Sequence, residues 1–309
     1  MLVGTLFPQG GAAIRQAGWG IPLMVAAVLL ISGYTLELGH AVRQATNARA
    51  LFLGLATTYV VAPIIAYPLA RLYGPPVGDA ESTGFHFLQA VMIMAAQAGP
   101  VATAIAMTTM ARGDHALALV LTLISNTITA FLTPIILRAA IGSVVAFPLA
   151  EMMARLALVI ILPVILGIAL RQLAGPKTLP TRLLIAAKLI PQWIVLTFVY
   201  IGFASASEYL GQEISLAFRF AAVCISLNGL LLIWSALAAG WMGLSPASRI
   251  AITFCGSQKT VPNGFYLWET FFSTNPYGAI PMVFYQITQL AGGALLAPWI
   301  KLDDDSNPE

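Results

Sequence analysis

Between Arg15 and Glu37 the chain runs 21 residues without a charge, and between Arg49 and Arg71 it does so again. Runs of this kind recur as far as Ile300. A helix needs about 20 apolar residues to cross the hydrocarbon core of a bilayer. In that core every backbone N–H and C=O must find its partner inside the protein, so such segments fold as helices. The balance of the chain agrees: 59% of its 309 residues are hydrophobic and only 9% are charged. A soluble domain carries about 25% charged residues. Too few charges remain here to cover a water-facing surface, so one or two soluble domains are excluded. The net charge of +3 is spread without a basic cluster, which argues against a nucleic-acid partner. Cys224 and Cys255 both lie in apolar runs, and no disulfide framework or metal-binding cysteine pair is present. The N-terminal segment lacks a basic region followed by an apolar core, so no cleaved signal is expected and the first span serves as its own targeting signal.

The gaps between charges predict an all-α, polytopic membrane protein of about nine spans. They are Gln16–Leu36, Ala50–Ala70, Ser82–Ala111, His115–Leu137, Met152–Gln172, Leu189–Ser207, Phe220–Leu244, Arg249–Phe272 and Pro276–Ile300. Residues 1–300 read as a single transmembrane domain, with a first repeat over about 16–140 and a second over about 150–300. The polar tail, 301–309, is expected to be disordered. Assigning the loops alternately to the two sides gives nine Lys and Arg against five, leaving out Lys259. The positive-inside rule then places the N-terminus outside and the C-terminus in the cytoplasm, in the inner membrane of a bacterium.

Two spans are interrupted. Ser82–Ala111 is too long for one crossing and carries Gly99-Pro100 at its middle. Arg249–Phe272 is broken around Gly256-Ser257-Gln258-Lys259, with Pro262 and Gly264 just beyond. Each is followed by one further span before its half of the chain ends, and matched this way the two cross in opposite directions. That is an inverted repeat, with unwound segments meeting near the midplane. Gly and Pro also kink ordinary membrane helices. Two breaks in corresponding places, one holding a lysine, favour a binding site over simple kinks.

Lys259 has nine uncharged residues on either side before Arg249 and Glu269. At a helical rise it therefore lies about 15 Å from each, too deep to reach the interface. A central lysine costs about 2.5–3.5 kcal/mol on insertion scales, so a compensating role is expected. That role is either to tie down unwound carbonyls or to take part in coupling. Gln97 and Gln258 flank the breaks with amides that both donate and accept. Thr103 and Thr260 follow them. Thr122, Ser125, Asn126 and Thr129 fall on one helix face, a polar stripe that must turn toward protein or water. Gln97, Thr103, Gln258 and Thr260 are the candidate solute-binding residues, and Lys259, Thr122, Ser125 and Asn126 the candidate coupling residues. Asn228, Gln286 and Gln289 read as packing groups. Trp19, Trp241, Trp268, Tyr277 and Trp299 sit near span ends, as an interfacial aromatic belt requires. No metal site is expected, since His40, His86 and His115 lack ligand spacing.

Two stretches resemble the bile acid:sodium symporter family, solute carrier family 10. Pro100 to Asp114, followed by a span ending Leu132-Thr133-Pro134, is similar to the family's broken fourth helix and the helix after it. Ile252 to Thr260, with its run Phe-Cys-Gly-Ser-Gln-Lys, is similar to the broken ninth helix. It comes closest to the branch that includes solute carrier family 10 member 7 and SBF-like bacterial proteins. The resemblance implies a panel domain and a core domain, with the two broken helices crossing in the core. It also implies that the first repeat has lost its leading helix, as in the nine-span animal members. In sodium-coupled members two Na⁺ ions bind behind the crossing, sharing a glutamate whose position is Phe254 here. The family's asparagine after the glutamine is Lys259. A serine–asparagine pair becomes Thr103-Ala104, a serine becomes Ala118 and a glutamine becomes Thr58, while Gln258 and Thr122 are kept. The resemblance thus implies the fold, and the departures argue against Na⁺.

The function expected is secondary transport of a small organic anion, with no cofactor and with Lys259 in place of sodium. Partners are the anion and the lipid bilayer. Two alternatives stand beside it: a regulatory membrane protein that transports nothing, and a Na⁺-coupled symporter with a displaced ion site. An intramembrane enzyme is disfavoured, because HExxH, GxGD and GxSxG are absent and Ser257 and Lys259, two residues apart, do not face each other on a helix. Metalloid export needs a thiol at the first break, and Ala95 to Thr103 holds none.

Overall fold

A computed structural model describes residues 9–10, 18–35, 47–142, 147–174, 181–212 and 214–302. Every regular element among them is helical. In chain order they are α1 (Gly20–Tyr34), α2 (Ala48–Tyr73), α3 (Thr83–Ala95), α4 (Val101–Met110), α5 (His115–Ile141), α6 (Leu149–Ala174), α7 (Thr181–Gln212), α8 (Ile214–Trp241), α9 (Pro246–Ser257), α10 (Val261–Phe271) and α11 (Ala279–Leu296). Five of these, α2, α5, α6, α8 and α11, are long and apolar enough to cross a membrane by themselves. The chain is a polytopic membrane protein. The two interrupted spans are each a pair of half-helices, α3/α4 and α9/α10. The 32 residues of α7 run well beyond the 189–207 interval that charge spacing gives. The expected tail from residue 303 onward lies outside the described residues. Of the tail expected over 301–309, Lys301 and Leu302 are described, and the Leu302 N–H donates to the Ala111 carbonyl at 3.2 Å.

Polar residues between the spans set the helix starts. Asn47, Ser82, Asp114 and Ser245 each accept a backbone N–H in the first turn of α2, α3, α5 and α9. Such caps satisfy donors that the first turn leaves open. Leu23, Phe52, Leu72, Leu173 and Leu295 are exposed along the outer faces, as a lipid-facing surface requires. Trp19, Trp241 and Trp299 are exposed near span ends. Trp268 and Tyr277 are not: both are buried, and Trp268 donates to the Asn275 carbonyl at 2.9 Å. They close the α10–α11 connection and are no part of an aromatic belt.

Helix α1 packs mainly on α6, the most extensive contact between two helices among the described residues, and also touches α7 and α10. Two glycines permit it. A Cβ on Gly33 would fall on the Val164 carbonyl, and one on Gly167 on the Leu30 carbonyl. Small residues let membrane helices approach backbone to backbone, where van der Waals packing replaces the hydrophobic effect. The remaining helices gather round the two broken pairs, with α8 packing on α2, α9 and α11. Both α2 and α6 widen into one π-helical turn, Thr57–Val61 and Ala157–Ile161. Each turn stops two residues short of a proline, Pro63 or Pro163. In an α register a proline ring strikes the carbonyl four residues back, and a widened turn relieves the collision.

The α1–α6 contact gives a stability test. Gly33→Ala should lower stability by about 1–3 kcal/mol, the usual range for overpacking. Gly229 in α8 has open space where a Cβ would go, so Gly229→Ala should leave the melting temperature unchanged or raise it. Thermal melts of the two variants in detergent compare them directly.

Candidate functional site

The half-helices stop where glycine and proline stand. Pro100 is the N-cap of α4 in extended geometry, and Pro262 lies in the first turn of α10, where its missing N–H leaves no intrahelical bond unmade. Between them run two unwound segments, residues 96–100 and 258–260. They touch where Gly99 meets α9: a Cβ there would be 2.8 Å from the Cys255 carbonyl. The Thr260 N–H donates across the crossing to the Ala98 carbonyl at 2.7 Å.

Unwound peptide groups in a buried crossing need outside partners. Four consecutive carbonyls of the first segment each receive one. Ala96 accepts from the Thr133 hydroxyl at 2.6 Å, Gln97 from the Lys259 ammonium at 3.1 Å, Ala98 from Thr260, and Gly99 from the Asn126 amide at 2.9 Å. In the second segment the Ser257 carbonyl accepts from the Tyr285 hydroxyl at 2.5 Å. The peptide of Lys259 is gripped on both sides by one side chain. Its N–H donates to Gln289 Oε1 at 2.7 Å, and its carbonyl accepts from Gln289 Nε2 at 3.0 Å. That backbone pair, one fixed donor and one fixed acceptor, sets which end of the Gln289 amide is which, and Gln286 Oε1 then accepts from the same Nε2 at 2.6 Å.

Lys259 is 2% exposed. Its Nζ donates to the Thr58 carbonyl at 2.9 Å and to the Gln97 carbonyl at 3.1 Å, so one ammonium joins α2 to both halves of the crossing. No carboxylate pairs with it among the described residues. Phe254, one turn earlier, is fully buried in an apolar cluster with Met107, Ala111, Ile250 and Ala297.

The candidate solute residues sit around this point in different ways. Thr103 and Gln258 meet directly, the hydroxyl donating to Gln258 Oε1 at 3.0 Å. Gln258 Nε2 is buried with no partner, and exchanging the two ends of the amide would merely leave the oxygen unpaired instead. Gly293 of α11 passes close by, where a Cβ would be 3.5 Å from that nitrogen. The Gln97 side chain turns back to its own helix, donating to the Ile93 carbonyl at 2.7 Å. Thr260 contributes its backbone N–H to the crossing. Of the α5 stripe, only Asn126 reaches across: besides Gly99 it binds Asn263, whose amide donates to Asn126 Oδ1 at 3.1 Å. The hydroxyls of Thr122 and Ser125 are buried and bonded to carbonyls of their own helix. Thr129 meets the Tyr59 hydroxyl at 2.6 Å.

Sequence reasoning missed Gln289, Asn263, Thr133 and the Thr58 carbonyl. Gln289 and Gln286, three residues apart on one face of an apolar span, were the available signal. Asn263 follows the second break directly. Nothing in the sequence marks a backbone carbonyl as an acceptor except the proline that follows it.

Two discontinuous helices, crossing at their unwound segments in opposite halves of one chain, are the construction of a secondary transporter. The chain belongs to the SBF-like CPA transporter family, whose model matches residues 1–301. An uncharacterized protein of Pseudomonas aeruginosa is 25% identical over 99% of this chain and 92% of its own length. An Escherichia coli protein named provisionally as a symporter, YfeH, is 27% identical over 96% of this chain and 89% of its own. Sodium/bile acid cotransporter 7 of Rattus norvegicus is 23% identical over 65% of this chain and 61% of its own length. The protein is therefore a secondary transporter of the bile acid symporter type, embedded in the membrane, and not an enzyme.

The hydrogen-bond pattern separates two buried polar residues by role. Asn126→Leu strips the Gly99 carbonyl and Asn263 of partners, and should cost about 1–3 kcal/mol for each group left unmet. The Ser235 hydroxyl is equally buried but has no partner, so Ser235→Ala should leave thermal stability unchanged or raise it. Melting curves of the two purified variants would show whether polarity alone or bonding matters.

Proposed function

We propose that the protein carries a small organic anion past the crossing without Na⁺, and that the Lys259 ammonium stands where sodium stands in coupled relatives. The observation that carries this reading is the pair of bonds from Lys259 Nζ to the Thr58 and Gln97 carbonyls. Carbonyl oxygens converging on a point suit any cation, and here the chain supplies its own. Sodium would have to share those two carbonyls with the ammonium, and no carboxylate among the described residues balances a second positive charge. Phe254 offers an apolar ring instead, and a second cation beside a fixed ammonium meets repulsion. While the ammonium occupies these carbonyls, the residues present do not suit a sodium ion behind this crossing.

The anion preference rests on the same charge. The N-termini of α4 and α10 both begin at the crossing, and helix N-termini favour negative charge. The unpartnered end of Gln258, with Thr103 beside it, supplies a polar contact for the solute; Gln97 and Thr260 complete the candidate site. Asn126 and Lys259 hold the crossing, with Thr122 and Ser125 behind them. Nine spans, in repeats over about 16–140 and 150–300, with the N-terminus outside and the C-terminus in the cytoplasm of a bacterial inner membrane, complete the reading. If Lys259 exchanges its proton during the cycle, transport is coupled to H⁺; if it stays charged, the protein is a uniporter or exchanger.

Two measurements test the reading. In the wild type, replacing K⁺ by Na⁺ should not change the melting temperature. In Lys259→Ala the vacated carbonyls should accept Na⁺, and the same exchange should raise it by mass action. A Na⁺-dependent rise in the wild type would point instead to a symporter with a displaced ion site. For the solute site, a thermal-shift screen of organic anions supplies a ligand for proteoliposome uptake, and Thr103→Trp should reduce that uptake at least tenfold. Unchanged uptake in that variant would place the solute elsewhere. Failure of every anion to bind or move would favour a regulatory protein. A pH dependence of uptake that vanishes in Lys259→Asn would select proton coupling.

A further inference from the structure

We propose that Pro63 is a positioning residue of the Lys259 centre: it deprives the Thr58 carbonyl of its helix partner and so creates the acceptor that receives the ammonium. The inference rests on reading Lys259 as the fixed cation of the site. In an α register the Thr58 carbonyl would accept the N–H of Ala62. That N–H donates instead to Thr57, one residue further back, because the turn is π-helical. In a π register the Thr58 carbonyl would accept the N–H of residue 63, and residue 63 is a proline with none to give. Both intrahelical routes are closed. Thr58 is 1% exposed, so water does not substitute. The donor found is Lys259 Nζ, reaching across from the second repeat at 2.9 Å.

The second π turn separates cause from consequence. In α6 the Leu162 N–H donates to Ala157, and Pro163 follows, with the same spacing as Ala62 and Pro63. That turn, Ala157 to Ile161, is wholly apolar. The widened turn thus accompanies the proline without any lysine. Proline opens the carbonyl, and at Thr58 alone of the two sites does a buried ammonium use it. The carbonyl is aimed before Lys259 arrives, and it fixes the height in α2 at which the crossing attaches.

A double-mutant cycle in the full-length protein tests this. Lys259→Met leaves the Thr58 carbonyl unpaired and should lower the melting temperature. In a Pro63→Ala background the new N–H, or the restored α register, satisfies that carbonyl. The loss from Lys259→Met should then fall to half or less. Pro63→Ser restores an N–H too and serves as the independent second variant, while Pro163→Ala should leave the Lys259→Met loss at its full size. Equal losses in all backgrounds would overturn the inference and make Pro63 merely structural. Sodium as a probe adds a readout that helix stability alone does not move. The Na⁺-dependent rise expected of Lys259→Ala should shrink when Pro63→Ala is added. A Lys259→Ala protein that ignores Na⁺ would sink the sodium-replacement reading while leaving the cycle to decide Pro63 by itself.

Discussion

The crossing exists because its peptide groups are satisfied. Two helices that stop in mid-membrane expose carbonyls and N–H groups that neither lipid nor a dry protein interior will solvate, at several kcal/mol for each one unmet. Here the debts are settled one by one, by a threonine, an ammonium, a crossing N–H and an asparagine over residues 96–99. Lys259 is the only one of these donors that carries charge, and its one nitrogen bonds to both α2 and the first unwound segment. Remove it and both the Gln97 and the Thr58 carbonyls lose their partner together. That one side chain ties α2 to both broken pairs.

A fixed cation has consequences that a bound ion does not. An ion that leaves the site lets the crossing report whether it is loaded, which is how binding of one species can be linked to movement of another. An ammonium tethered to residue 259 stays with the protein through the cycle. What varies is its protonation, or its contacts. The anion proposed as solute would meet a charge already present, and no carboxylate pairs with that charge among the described residues. On the proposed reading, Phe254 and Lys259 are a single electrostatic change made at two places: no carboxylate stands at 254, and a cation is fixed at 259.

Much of this was legible before any coordinates. Runs without charge locate the membrane helices because burial of a charge in lipid is so costly, and Gly99-Pro100 and Gln258-Lys259 mark the breaks because nothing else in a span tolerates them. The polar stripe of α5 was visible by its spacing, but its members were not distinguishable. Asn126 acts across the crossing, whereas Thr122 and Ser125 bond back to carbonyls four and three residues earlier in their own helix. Gln289 was misjudged for a related reason. An amide in an apolar span signals a partner, and the partner is a peptide group thirty residues distant, which periodicity cannot supply. Trp268 and Tyr277 lie near a span end yet face inward, because sequence position gives depth and not direction.

The two halves repeat the same bracing device with different contents. In each, the helix that follows the broken pair sends an amide to the residue two places before the second half-helix: Asn126 to Gly99, and Gln289 to Lys259. Gly99 and Lys259 thus occupy corresponding places. One must lack a side chain, since a Cβ would press on the Cys255 carbonyl. The other carries a long flexible side chain, and sends it back through the crossing to the partner segment. A crossing of two strictly equivalent segments would leave room for neither, or collide twice. The two broken pairs thus differ at one matched residue pair: at Gly99 the missing side chain lets the Cys255 carbonyl close in, and at Lys259 the side chain reaches away to the Gln97 and Thr58 carbonyls.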